Sequence, residues 1–303
     1  MASEPPRAIG FIGLGNIGLP MAENLARAGI EVIAFDASPQ ALERARALGL
    51  TPAQSARDVA DRAETVLLSL PTPAVVEDVV LGEGGVAQGK ALRCLIDLST
   101  SGPRTARRLA EAMAARGGAA LEAPVSGGVG GAKAATLAIM VSGPRAAFDG
   151  AQGLLAMLGR PLFVGGGAGL AQTMKLVNNM VSGAALAITA EAMAMGAKAG
   201  IDPAVMIEVM NAGSARNTAT LDKFPKAVLP GTYDYGFAAE LMLKDNRLFL
   251  SEAEAMGLDL PACREMVSRW ADTVDELGSC DFTAIARLME RRAGVSLQSR
   301  AEA

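Results

Sequence analysis

The chain contains no histidine. That absence removes the commonest general base, the commonest zinc ligand and every Ser-His or Cys-His nucleophile arrangement. Cysteine is scarce: Cys94, Cys263 and Cys280 are odd in number and widely spaced. Three such residues make neither a thiolate zinc site nor a disulfide framework, and they point to a reduced, cytoplasmic compartment. No metal site is expected. Acid/base chemistry must fall to lysine, carboxylate, tyrosine or cysteine. An excess of positive charge is also missing, the formal net charge being −4. This argues against nucleic acid or an anionic membrane as partner, because either would call for a basic face. Long apolar runs are absent too. The most membrane-like stretch, Leu176 to Ala190, is short for a bilayer and carries an asparagine pair, so it reads as a buried core helix. The start, MASEPPR, has two prolines and no apolar stretch before Arg7, and does not read as a signal peptide.

What is present is an ordinary globular balance: 303 residues, 50% hydrophobic and 20% charged, enough for two domains with proper cores. The first half alternates short apolar strands (AIGFIGLG, which runs into a glycine turn, then EVIAFD, TVLLSL and ALRCLIDLS) with helical segments such as LPMAENLARAG, PQALERARALG and PRTARRLAEAMAARG. Further strands are expected in AALEAPV, TLAIMVSG and PLFVG, with a helix near Phe148 to Leu158. Strand–helix alternation of this kind predicts an α/β fold with a Rossmann-type, doubly wound parallel sheet, here over residues 1–165. The GGGAG run from Gly165 is a break, and residues 166–303 read as an all-helical domain. Its first helix, about Leu170 to Lys198, is lined with small residues nearly all round, as suits a helix that others pack against.

Gly13, Leu14, Gly15, Asn16, Ile17 and Gly18 spell G-L-G-N-I-G between a strand and a helix. In that context the first glycine makes the turn, the second lets backbone approach a pyrophosphate, and the third lets helix and strand pack closely. The helix amino terminus then faces the anion. Asp36 ends the second strand, where an acidic side chain accepts from both adenosine ribose hydroxyls and repels a 2′-phosphate. It can equally start the DASP turn, and the two readings are compatible. NAD is therefore the expected cofactor, and hydride transfer the default chemistry.

Without histidine, neither a His-base dehydrogenase nor a zinc alcohol dehydrogenase can operate. Tyr233 and Tyr235 are the only tyrosines and neither precedes a lysine at Tyr-x-x-x-Lys spacing. A lysine base remains. Lys175, Asn178 and Asn179 share one face of the long helix by their i, i+3 and i+4 spacing. Taken alone, Lys175 reads as snorkelling from a buried stem to water rather than as a catalytic base.

Together these stretches resemble the β-hydroxyacid dehydrogenase family, the group of 3-hydroxyisobutyrate dehydrogenase and tartronate semialdehyde reductase. The resemblance runs from about Ile9 to Val295 and rests on five ordered motifs: GFIGLGNIGLPMAENL, DLSTSGP, APVSGGVGGAKAATLAIMVSG, GLAQTMKLVNN and LMLKD. It implies that Lys175 exchanges the substrate hydroxyl proton and that Asn179 orients the substrate, in a cleft between the domains. Ser126, Gly127 and Gly128 are implied to hold the substrate carboxylate, consistent with an anion-binding nest. Thr100 would lie beside the nicotinamide and the cofactor would cross Leu70 and Pro71. Lys244 would close over cofactor and substrate. Ser99 or Thr100 could instead cap the helix at Pro103, and Lys244-Asp245 could be a solvated pair. The family also implies a homodimer or homotetramer built on the helical domain, and a small carboxylate substrate. Arg216, in the polar stretch NAGSARNTATLDKF, is a candidate to read a distal group of the substrate.

The sequence departs from the family pattern at three places. Ala171 stands where a glycine is common four residues before the lysine, Ala135 stands for a glycine in G-A-x-x-G-T-L, and Glu122 replaces a frequent Asp before Ala-Pro-Val. The expected function is NAD-dependent oxidation of a small 3-hydroxy acid or reduction of its semialdehyde. The alternatives are an imine reductase, which usually lacks this lysine, and a non-catalytic nucleotide-binding relative, which would have lost it. A 6-phosphogluconate dehydrogenase shares the lysine but has a substantially longer chain.

Overall fold

The computed structural model describes residues 8–299. The chain divides into two compact units, Met1–Lys175 and Leu176–Ala303. The division falls inside the long helix, beyond the glycine run at Gly165 where the composition changes.

The first unit holds β1 (Ala8–Ile12), α1 (Gly18–Arg27), β2 (Glu31–Phe35), α2 (Pro39–Ala47), β3 (Thr51–Pro52), α3 (Ala56–Arg62), β4 (Thr65–Leu68) and α4 (Pro73–Leu81). It continues through β5 (Cys94–Asp97), α5 (Gly102–Ala115), β6 (Ala119–Glu122), β7 (Val125–Ser126), α6 (Gly128–Ala134), β8 (Leu137–Ser142), α7 (Arg145–Ala156) and β9 (Gly159–Gly165) to the start of α8 (Leu170–Lys198). Hydroxyl caps open three helices: Ser38 accepts from the Ala41 amide, Ser55 from Asp58 and Thr72 from Val75. Each satisfies one of the amides a first turn leaves without a partner.

The sheet runs β3-β2-β1-β4-β5-β6-β8-β7, with β9 paired to β8. From β3 to β6 every pairing is parallel, and the strand order reverses at β1/β4, the switch point where doubly wound sheets bind ligands. β1 is buried on both faces, as parallel strands are. Ile9 and Phe11 join one apolar cluster, while Ile12 joins the other with Val59 and Val66. Gly10 is the cost of that tightness, since a Cβ there would lie 2.3 Å from Cγ1 of Val59.

The sheet is parallel in the main but not throughout. β8 runs antiparallel to β6 and β7, although TLAIMVSG reads as one more strand of the parallel series. The short Gly127–Thr136 link explains the reversal: a parallel return needs a crossover of a dozen or more residues.

The second unit comprises the rest of α8, α9 (Pro203–Ala212), a π-helical segment (Ala219–Val228), α10 (Ala239–Ala255), α11 (Pro261–Leu277) and α12 (Ala284–Ala293). Its core gathers Leu186, Met193, Phe224, Met242, Trp270, Phe282 and Ile285, with the Trp270 and Phe282 rings stacked at 6.3 Å. Gly183 lets α8 approach α10 and α11 closely. A Cβ there would meet Sδ of Met242 at 2.9 Å, and Nδ2 of Asn246 and Nε1 of Trp270 at 3.1 Å. By length and composition α8 could cross a membrane, with a mean hydropathy of 1.4, but half of that window is buried inside the protein.

Candidate active site

The glycine turn follows β1 directly. Gly13 has a φ of +95°, and a Cβ on it would lie 2.2 Å from the Ser69 carbonyl oxygen. On Gly18 a Cβ would lie 1.9 Å from the Gly13 carbonyl oxygen. Both glycines are therefore demanded by the fold itself. Gly15 is different: it is exposed, and a Cβ there would meet nothing within 4 Å. Nothing inside the protein requires that glycine, whereas a pyrophosphate lying against the turn would. The helix behind the turn, α1, has no side-chain cap and no acidic residue in its first turn, leaving its amino terminus open to an anion. Asn16 is exposed and Ile17 half-buried at the N-cap of α1. These residues fit a dinucleotide phosphate.

Asp36 joins this turn. One carboxylate oxygen accepts from the Leu14 amide at 2.7 Å and the other from the Ser38 amide at 2.8 Å. The residue starts the DASP turn and also braces the glycine loop. A carboxylate has about four acceptor positions, so about two remain for ribose hydroxyls.

The ends of β4 and β5 are stitched together. The Leu70 amide donates to Oγ of Ser99 at 2.9 Å, the Ser99 amide donates to Oδ1 of Asp97 at 2.9 Å, and Oγ of Ser101 donates to Oδ2 of Asp97 at 2.6 Å. Ser99 thus holds Leu70 rather than capping α5. Thr100 is half-buried between these serines, and Pro71 is exposed.

Ser126 pairs with Ala138 at the edge of β8. Gly127 and Gly128 follow with φ of +139° and +63°, backbone that side-chain-bearing residues rarely adopt. The helix after them, α6, ends at Ala135 in the left-handed region with φ 55° and ψ 40°. That is why a glycine is usual there.

The start of α8 has no serine, threonine or aspartate before it, and receives its cap from the sheet. Glu122, at the end of β6, accepts from the Gly169 amide through one oxygen and from the Gln172 amide, at 3.1 Å, through the other. Oγ of Ser142 accepts from the Ala171 amide at 2.9 Å. Burial pushes the Glu122 carboxyl above the usual carboxylate range, and the hydrogen bonds from Gly169, Gln172 and Ser142 offset only part of that. Lys175, on the next turn, is buried.

In the second unit Asn179 is also buried, with both ends of its amide engaged. Its Nδ2 donates to Oδ2 of Asp245 at 2.6 Å, and its Oδ1 accepts from Asn178 at 3.1 Å. Nζ of Lys244 lies 3.1 Å from Oδ1 of Asp245. That oxygen has no hydrogen-bond partner of adequate geometry, so the Lys244 contact is a charge contact rather than an aligned hydrogen bond. Asp245 therefore joins Asn179 to Lys244, and Lys244 is not a solvated pair member. Asp245 was visible in the sequence only as the last letter of LMLKD. Arg216 is exposed in the segment between α9 and the π-helical segment. Among the same residues, no group of three or more potential metal-ligating carboxylates or cysteines occurs.

A Rossmann-ordered sheet thus carries, at its switch point, a glycine turn that fits a dinucleotide phosphate, and a helical unit follows it. Residues 8–167 match the family model for the NAD-binding domain of 6-phosphogluconate dehydrogenase. Residues 169–289 match the NAD-binding model of NADP-dependent 3-hydroxyisobutyrate dehydrogenase. The chain is 42% identical to 3-hydroxyisobutyrate dehydrogenase of Pseudomonas aeruginosa, covering 92% of this chain and 97% of the relative. It is 32% identical to 2-hydroxy-3-oxopropionate reductase of Escherichia coli, covering 95% and 99%. Among solved structures, 3-hydroxyisobutyrate dehydrogenase of Mycobacterium tuberculosis with L-serine superposes with a TM-score of 0.86 at 30% identity, covering 94% of this chain and 99% of that one. The chain belongs to the β-hydroxyacid dehydrogenase family and acts as an NAD(P)-dependent oxidoreductase on the hydroxyl group of small hydroxyacids.

Proposed function

We propose that this enzyme prefers NAD and interconverts a small 3-hydroxy acid of the 3-hydroxyisobutyrate type with its semialdehyde, using Lys175 as general acid and base. The observation that carries this reading is a buried lysine on the site helix of a chain without histidine. The bound nicotinamide supplies the hydride acceptor. In the oxidation Lys175 takes the hydroxyl proton as the hydride leaves carbon, and in the reduction it returns that proton. Ser126 and the amides of Gly127 and Gly128 hold the carboxylate, whose charge suits consecutive N–H groups on positive-φ backbone. Asn179, its amide fixed by Asp245, orients the substrate. Thr100, Leu70 and Pro71 would border the nicotinamide, and Lys244 would contact cofactor and substrate. Arg216 is free to meet a second polar group on a longer substrate.

Asp36 supports the NAD preference, because a 2′-phosphate would meet a carboxylate already fixed by two amides. We assign residues 1–165 to the cofactor and 166–303 to substrate and oligomerisation; the two family-model matches, which meet between residues 167 and 169, support the position of that boundary. Homo-oligomerisation is supported by an exposed apolar stripe on α8, Val181, Ile188 and Met195, whose seven-residue spacing keeps one face in register for a second helix. Three free, dispersed cysteines suit the cytoplasm, and burial pushes the Cys94 thiol up to about 11, leaving it unreactive.

The deciding experiment measures turnover of Lys175→Ala on 3-hydroxyisobutyrate, 3-hydroxypropionate and L-serine with NAD and with NADP. Turnover should fall about 10²–10⁴-fold, with far-UV dichroism and NADH binding retained. Near-normal turnover would remove the lysine from the mechanism, and a clear NADP preference of the wild type would overturn the role of Asp36.

A further inference from the structure

Gln172 is fully buried, and its carboxamide makes three hydrogen bonds. Its Oε1 accepts from the Ser101 amide at 3.0 Å and from the Gly102 amide at 3.1 Å, while Nε2 donates to the Ser99 carbonyl at 2.9 Å. The three bonds straddle Thr100, one before it and two after. Two of them also satisfy amides at the start of α5, a helix whose own N-cap residue, Ser101, provides no side-chain cap. Only a side chain of this length that both accepts and donates fits: a carboxylate would accept from the two amides but face the Ser99 carbonyl with a second acceptor.

The backbone of the same residue is fixed independently. The Gln172 amide donates to Glu122 at 3.1 Å, and the flanking Ala171 amide to Ser142 at 2.9 Å. The Ser99 that Gln172 holds by its carbonyl also holds the Leu70 amide by its hydroxyl. Gln172 thus sits where three strand ends meet: β4 through Leu70, β5 through the Ser99–Gly102 loop, and β6 through Glu122. Lys175 lies three residues on, on the same face of α8 and roughly 4.5 Å further along its axis.

We infer that Gln172 is a positioning residue for hydride and proton transfer, locking the Thr100 loop to the helix turn that carries Lys175. This rests on the assignment of Lys175 as the acid/base and of Thr100 as a neighbour of the nicotinamide. The loop borders the hydride acceptor and the lysine handles the proton, so the two halves of the reaction are registered to each other through one carboxamide. A displacement of about 1 Å between reacting groups costs up to about 100-fold in rate.

The test uses Gln172→Glu and Gln172→Leu in the full-length enzyme, with Lys175→Ala alongside. Gln172→Glu keeps volume and both accepted bonds but sets an acceptor and a buried charge against the Ser99 carbonyl, whereas Gln172→Leu loses all three bonds and adds no charge. The expected result is a kcat lowered about 10- to 100-fold, with substrate KM and the NADH dissociation constant (by fluorescence) within about threefold of wild type. The deuterium isotope effect on kcat with 3-deuterated substrate should rise as transfer becomes more rate-limiting. A merely structural role would lower the melting temperature and leave kcat per folded molecule unchanged. If Gln172→Leu does not fold, the isosteric Gln172→Glu decides the matter. A wild-type kcat in that variant, or failure of both variants to fold, overturns the inference. Loss of turnover in Lys175→Ala with normal kcat in Gln172→Glu removes this inference alone; normal turnover in Lys175→Ala removes the lysine reading on which it stands.

Discussion

The first turn of α8 is held by polar groups of the sheet, with Glu122, Ser142 and the Ser99–Gly102 loop taking up Gly169, Ala171 and Gln172. Two turns beyond Lys175 the same helix is held by packing, where Gly183 admits Met242 and Trp270, and Leu186 and Met193 enter the core. The two kinds of contact do different things. Buried apolar area is non-directional and tolerates small slides. A net hydrogen bond contributes only about 1 kcal/mol, but it fixes direction, and a buried donor left without its acceptor is costly. A helix expected to aim one lysine has the polar clamp of its first turn immediately before that lysine, the Asn179–Asp245 bond one turn after it, and its bulk packing beyond.

The comparison breaks first at Glu122. Glu122→Ala would strip the acceptors from two buried amides, Gly169 and Gln172, and should cost about 2–4 kcal/mol in chemical denaturation. It should also lower kcat, since the turn before Lys175 loses its anchor. A stability loss with unchanged kcat would make the polar clamp no more than another packing contact. The carboxyl has a pH signature as well. Its value is raised in the folded state by burial, so its neutral form is favoured by folding. The stability it contributes is full below its ordinary value of 4.5 and is lost as pH rises through the higher folded value. The stability of wild type relative to Glu122→Gln should therefore fall over the interval above pH 4.5, as pH rises through the raised folded value. A difference that grows over that interval would mean the carboxylate, not the acid, is the favoured form.

Gly183 is the matching probe on the apolar side. Gly183→Ala gains helix propensity but pushes a methyl against Sδ of Met242 at 2.9 Å and Nε1 of Trp270 at 3.1 Å. Met242 is flexible, while the fully buried Trp270 ring has little room to yield. Overpacking of about 1–3 kcal/mol, less about 1 kcal/mol of propensity, leaves a net loss of about 1 kcal/mol. Turnover per folded molecule should hold. A drop in kcat with intact stability would show that both halves of the helix aim the lysine.

The same contrast governs how much could be read in advance. G-L-G-N-I-G was legible because each glycine answers a local demand, two from neighbouring backbone and one from open space at Gly15. The long helix and its lysine were legible through helical spacing and the absence of histidine. The parallel, doubly wound sheet followed from strand–helix alternation, whereas the short β3 (Thr51–Pro52) had no signal of its own. Glu122, Gln172 and Asp245 carried no such signal. Their partners lie far away in sequence, Glu122 reaching Gly169, Gln172 reaching Ser99, and Asp245 reaching Asn179, and only the folded sheet and helices bring them together. Glu122 was noticed as a departure, but its job of capping α8 was invisible. Short helices with local signals were missed, among them α3 behind the Ser55 cap, α4 behind Thr72-Pro73 and α6 after Gly127. They are short, and a seven- or nine-residue helix offers little periodicity to detect.

The smallest effect is expected where neither polar clamp nor packing sets the limit. Ala135 ends α6 with φ 55°, a conformation in which a Cβ crowds the following carbonyl and costs about 1–2 kcal/mol. Glycine removes that cost but gives the unfolded chain more freedom, returning about 0.4–1 kcal/mol. Ala135→Gly should therefore stabilise the enzyme by about 0.5–1 kcal/mol, read as a shift of the denaturation midpoint at unchanged slope. The substitution removes one methyl and leaves the Ser126–Gly128 turn before α6 untouched, so KM for 3-hydroxyisobutyrate should stay near that of the wild type. A lost midpoint would mean that the Ala135 methyl makes contacts worth more than its strain. A raised midpoint with a changed KM would tie the far end of α6 to the carboxylate-holding turn at its start, and would move Ala135 from a place of backbone strain to one that tunes the substrate.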